Sequence, residues 1–135
     1  MDSQESKSQA VKHFYEFGPF RLDLEQRLLW HEGETVALAP KVFETLILLI
    51  EHRGRVIKKE EMMKSLWPDR FVEESNLTQN IFMLRKILGE TTGKAQYIET
   101  IPKRGYCFIG AVKETQEEVK LTEENVPERM TLHYH

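Results

Sequence analysis

Between Glu74 and Gly89 the chain carries Ser75, Asn76, Thr78, Gln79 and Asn80, then Arg85 and Lys86, with no acidic residue from Ser75 to Leu88. Amides and hydroxyls of this kind donate to and accept from base edges, and arginine and lysine neutralise phosphate. An ordinary solvated helix face would instead carry Glu and Lys in i,i+4 pairs. A second cationic pair, Lys103–Arg104, precedes Gly105. The chemistry these residues suit is recognition of a nucleic acid, not bond making. The residue types that catalysis needs are not grouped. The chain shows no Gly-rich phosphate loop, no Cys/His metal spacing and no locally supported Ser/His/Asp set. No enzyme activity, cofactor or metal is expected, and His133 and His135 at the terminus are a weak metal signal only.

The element that must position the first group is a helix over 75–88. Leu77, Ile81, Leu84 and Leu88 fall at i, i+4, i+7 and i+11, within roughly 60° of arc on a helical wheel. Directly opposite lie Ser75, Gln79, Phe82, Met83 and Lys86. Thr78 and Arg85 flank one side, and Asn76 and Asn80 the other. Gly89 suits a left-handed helix stop. The outward apolar pair has two readings: Phe82 and Met83 pack on thymine methyls, or they pack against a neighbouring element. The second cationic pair sits at a hairpin tip, Pro102-Lys103-Arg104-Gly105, between the β-rich runs 97–101 and 106–109.

With 135 residues and 40% hydrophobic content, the chain suits one domain with solvated flanks. Its net charge of −3 argues against a nucleic-acid partner, but the distribution argues for one. Residues 1–40 hold 4 basic and 7 acidic groups, residues 41–110 hold 12 and 9, and residues 111–135 hold 3 and 6. The positive charge gathers around the helix and the hairpin, where the local field matters. The lone Cys107, the polar N-terminus and the lack of an apolar run near ~20 residues point to a cytoplasmic setting.

Along the chain, residues 1–12 read as a disordered lead-in. Short alternating runs from Phe14 to Leu38, with a turn at His31–Glu34 around Gly33, read as three or four antiparallel strands. Pro40 opens a helix with Val42, Phe43, Leu46, Ile47, Leu49 and Ile50 on a broad apolar face, closed by Gly54. Val56-Ile57 is an extended link. Lys58 to Trp67 reads as a second helix, with Met62 or Met63, Leu66 and Trp67 inward. The following loop has Phe71 and Val72 as anchors. Glu90 to Gln96 is turn-like, and residues 113–135 read as an acidic linker or tail.

From Phe14 to about Val112 these elements resemble the OmpR/PhoB-type winged-helix DNA-binding domain, in the ToxR/CadC-like branch of transcriptional regulators. The resemblance rests on Leu38-Ala39-Pro40-Lys41-Val42-Phe43-Glu44-Thr45-Leu46, on Gly54-Arg55-Val56-Ile57-Lys58-Lys59-Glu60-Glu61 and on Leu66-Trp67. It rests further on Leu84-Arg85-Lys86-Ile87-Leu88-Gly89 and on Tyr97-Ile98-Glu99-Thr100-Ile101-Pro102-Lys103-Arg104-Gly105-Tyr106. It implies an α+β fold: an N-terminal antiparallel sheet, three helices and a C-terminal hairpin wing, with the domain over 13–112. It also implies sequence-specific binding of double-stranded DNA, helix 75–88 in the major groove and wing 102–105 at the minor groove. In that frame Thr78, Gln79, Met83 and Ser75 are expected to meet bases. Asn76, Asn80, Arg85 and Lys86 are expected to meet phosphates, and Lys103, Arg104 and Tyr106 to serve the wing.

The resemblance further implies that the loop with Trp67, Asp69, Arg70 and Phe71 touches RNA polymerase. It also implies tandem self-association on direct-repeat DNA and a parent protein with a sensor or membrane domain. The chain departs from the pattern at Ala39, where a capping threonine is usual, and at Phe82 and Met83, where relatives often carry basic residues. The alternative function is a protein-interaction module that docks through the Phe82/Met83 face.

Overall fold

The computed structural model describes residues 9–90 and 95–120. They group into two compact units, one from the residues up to Thr35 together with those from Lys113 onward, the other from Val36 to Val112. The expectations for the first eight residues, for residues 91–94 and for the tail beyond residue 120, including His133 and His135, lie outside the described residues.

The first unit is an antiparallel sheet. Its strands are β1 (Gln9–Phe17), β2 (Phe20–Asp23), β3 (Leu28–His31), β4 (Glu34–Val36) and β8 (Lys113–Lys120), in the order β4-β3-β2-β1-β8. The β3–β4 turn places Glu32 at φ 51° and Gly33 at φ 87°. Positive φ at both central residues is what a two-residue turn matched to strand twist requires. Asp23 is buried, and its Oδ1 accepts from the backbone N–H groups of Glu25 and Gln26, which closes the β2–β3 turn.

Two boundaries differ from the expected ones. Residues 9–12 belong to β1, not to a lead-in, and residues 113–120 form β8, not a linker. β8 pairs with β1 over eight positions, from Gln9↔Lys120 to Glu16↔Lys113. The strand escapes an apolar-period search because it is an edge strand with little to bury. Its register is held by the backbone ladder and by charge: Arg21 Nη2 donates to Glu117 Oε2 at 2.8 Å. The same guanidinium lies 3.8 Å from the Phe14 ring centre.

The second unit holds α1 (Pro40–Glu51), β5 (Ile57–Lys58), α2 (Lys59–Leu66), α3 (Glu74–Ile87), β6 (Ile98–Ile101) and β7 (Gly105–Phe108). α1 starts at Pro40 without a side-chain cap from Ala39, and it buries Val42, Phe43, Thr45, Leu46, Leu49 and Ile50. α2 buries Met62 rather than Met63. Met62, Leu66, Leu77, Ile81 and Leu84 join the α1 stripe in one core, and α1 packs on both other helices. Three helices followed by the β6–β7 hairpin give the winged-helix arrangement. β5 adds a third strand to the hairpin, in the order β5-β7-β6 with Ile57↔Tyr106 and Lys58↔Gly105 paired.

Candidate nucleic-acid interface

α3 is closed by a Schellman motif. Gly89 stands at φ 82°, its N–H donates to Lys86 O at 3.2 Å, and the Glu90 N–H reaches back to Arg85 O at 2.8 Å. The buried stripe is the expected one, Leu77, Ile81 and Leu84, with Leu88 buried just past the last turn. Ser75, Asn76, Thr78, Gln79, Phe82 and Lys86 are exposed together, and Met83 is half-buried at their edge. Thr78 Oγ1 donates to Glu74 O at 3.4 Å, and Asn76 Nδ2 donates to Glu73 O at 3.1 Å. Gln79 has no comparable intrahelical bond among the described residues, so its amide is the one best presented to a groove.

Asn80 does not belong to this face. It is only 9% exposed, and its Nδ2 donates to Thr45 Oγ1 at 3.2 Å and to Lys41 O at 3.4 Å. Both N–H donors are used on α1, so the expected phosphate contact is replaced by a polar clasp between α1 and α3. The signal lay in the spacing, since Leu77, Asn80, Ile81 and Leu84 fall at i, i+3, i+4 and i+7. Thr45 completes the clasp by donating to Lys41 O at 2.7 Å.

Arg85 is also committed within the fold. Its Nη2 donates to Ile98 O at 2.9 Å and to Thr100 Oγ1 at 2.7 Å, which ties the end of α3 to β6. Its expected role as a simple phosphate contact is thereby changed to that of a strut fixing the helix relative to the wing. Glu90, a turn residue by its sequence context, reinforces the same seam. Its carboxylate accepts from the backbone N–H groups of Tyr97 at 2.8 Å and Ile98 at 3.0 Å. Burial, and then the nearby Glu90 charge, push the Tyr97 phenol above its usual pKa.

At the wing tip the Arg104 N–H bonds to Ile101 O at 3.0 Å, making a four-residue turn with Pro102 second and Lys103 third. Lys103 sits at φ 65°, a left-handed conformation that favours glycine. Lys103 and Arg104 are both exposed, whereas Tyr106 is 5% exposed and paired with Ile57. The expected wing role of Tyr106 is therefore corrected to packing under the wing, the result of β5 covering β7.

The wing tip is anchored to the start of α2 by the Lys59 N–H to Arg104 O bond at 3.2 Å. Lys59 Nζ in turn donates to Glu74 Oε2 at 3.0 Å, and that bond and charge raise the lysine pKa. Lys58, Lys59, Glu60, Glu74, Lys103 and Arg104 line a cleft of about 380 Å³ between these elements. Four cations against two acids leave it positive.

The loop between α2 and α3 differs from expectation. Trp67 is buried, Asp69 and Arg70 are exposed, and Phe71 is 92% exposed, not an anchor. Trp67 and Val72 hold the loop and leave Phe71 beside a cleft of about 380 Å³ that Met63 and Arg70 also line. Among the described residues no group of His, Cys, Asp and Glu could hold a metal ion. No described helix is long and apolar enough to cross a membrane.

Residues 33–108 match the family described as "Transcriptional regulatory protein, C terminal". The chain belongs to that family. Its winged helix is shared with solved members. The DNA-binding domain of Escherichia coli CadC superposes with a TM-score of 0.67 at 27% identity, over 77% of this chain and 98% of that one. The Klebsiella pneumoniae RstA DNA-binding domain, solved in complex with the RstA box, gives 0.63 at 26% identity, over 71% and 96%. Transcriptional regulator HilA of Salmonella typhi is 36% identical over 92 residues, which is 68% of this chain and 16% of HilA. The chain thus spans less than a fifth of that regulator's length.

Proposed function

We propose that this chain binds double-stranded DNA in a sequence-specific manner, as the DNA-reading part of a transcriptional regulator. The observation that carries the reading is the exposed face of α3. It combines hydrogen-bonding side chains with Lys86, lacks acids from Ser75 onward, and is braced by Arg85 against a wing whose tip carries Lys103 and Arg104. Family membership and the likeness to RstA, solved with its box, support it.

In this reading α3 enters the major groove, where Gln79, Thr78, Met83 and Ser75 meet base edges. Lys86 and Asn76 meet phosphates, Arg85 holds the helix to the wing, and Lys103 and Arg104 reach the minor groove or its phosphates. Asp69, Arg70 and Phe71, raised on the loop after α2, are suited to touch RNA polymerase. Tandem occupancy of direct repeats and a separate sensor or membrane domain in the parent protein complete the proposal.

The test is enrichment of duplexes from a random pool, followed by competition with the Gln79→Ala variant. One motif should emerge, and Gln79→Ala should lose about 1–3 kcal/mol of discrimination at one position. Enrichment of no motif by a folded chain would sink the reading, and unchanged base preference would remove Gln79 from its role.

A further inference from the structure

Phe82 stands at the middle of α3 and is 58% exposed. Its neighbours one turn away on the helix surface are Thr78, Gln79, Arg85 and Lys86, all polar or cationic. The ring is mostly exposed, and the apolar side chain next to it in sequence on this face, Met83, is half-buried, so the exposed apolar surface here is small against a docking patch. An isolated ring between an amide on one side and cations on the other matches one feature of the major groove: the thymine 5-methyl, an apolar spot set among base acceptors and donors, with phosphates at its border.

We infer that Phe82 determines specificity by packing on a thymine methyl, so that the preferred site contains a thymine whose methyl group is read. The inference rests on the DNA-binding reading above. Gln79 and Phe82 are three residues apart, roughly 4.5 Å along the helix axis. The base-pair rise is about 3.4 Å. The thymine read by Phe82 therefore lies within about two base steps of the pair read by Gln79.

The experiment replaces each thymine of the enriched site, one at a time, by deoxyuridine. That change removes the methyl and keeps every hydrogen-bonding group. One or two positions should weaken wild-type binding by about three- to tenfold. Phe82→Ala should bind the thymine and deoxyuridine duplexes alike at those positions, while Phe82→Leu keeps part of the difference. Because the ring is exposed, both variants should melt with the wild type, which circular dichroism checks.

A flat deoxyuridine scan on a site that the wild type enriches would overturn the inference and leave the DNA-binding reading standing. Full thymine sensitivity in a folded Phe82→Ala variant would also overturn it. Unchanged DNA binding by that variant would point to a protein partner for the ring. Failure of the wild type to bind any duplex would overturn both.

Discussion

Gly105→Ala is expected to lower the melting temperature of the chain by roughly 10 °C or more, read by circular dichroism. A Cβ at this position would lie 1.8 Å from Ile57 O, 2.8 Å from Ile57 C and 3.0 Å from Lys58 Cα. All three atoms are backbone, so no side chain can swing aside. The glycine is needed here for close approach of β7 to β5, not for an unusual φ.

Relieving the clash requires β5 to move off β7. That breaks the Lys58↔Gly105 pairing, strains the Lys59–Arg104 backbone bond beside it, and lifts fully buried Ile57 from the core. Overpacking that side chains can absorb costs about 1–3 kcal/mol. A backbone clash belongs at or above the upper end, about 3 kcal/mol or more, and each kcal/mol shifts the midpoint of a small domain by about 4–8 °C. A shift below about 3 °C would show that β5 and β7 are not held as described.

The second large effect concerns binding. Replacing Lys103 and Arg104 together by alanine should weaken affinity for every duplex by about 10- to 100-fold near 0.1 M salt. The logarithmic salt slope should become shallower by about two, one unit for each lost phosphate contact. Both side chains are exposed, and the turn is held by the Arg104 N–H to Ile101 O bond, which the substitutions keep. The melting temperature should therefore stay near wild type, and sequence preference along α3 should persist. An unaltered slope would remove the wing tip from the DNA interface.

How far the sequence could be read followed from what each element buries. α3 was legible because four apolar residues repeat at helical spacing ahead of Gly89, and α1 because its apolar face is broad. β8 was not legible: an edge strand of mostly charged residues has no apolar period, and only its long-range pairing with β1 reveals it. Asn80 was misread by residue type, since an amide suits both a phosphate and a buried clasp, and only the position of Thr45 on α1 decides between them. Arg85 and Glu90 became struts through partners 7 to 15 residues away that no local pattern announces. Phe71 was misplaced because an apolar loop residue is normally an anchor; here Trp67 is buried in the loop and Val72 half-buried, leaving Phe71 outside. Lys103 and Arg104 were legible as a charged tip, but the left-handed backbone at Lys103 was not.

Despite a net charge of −3, the chain gathers its cations beside α3 and the wing, on the face proposed to read a groove. The most direct test is fluorescence anisotropy of the chain with a mixed-sequence duplex, titrated between about 50 and 200 mM salt. The phosphate contacts assigned to Lys86, Asn76, Lys103 and Arg104 predict a log–log slope of roughly −3 to −4. Absence of binding at the lowest salt, by a chain shown to be folded, would contradict the account.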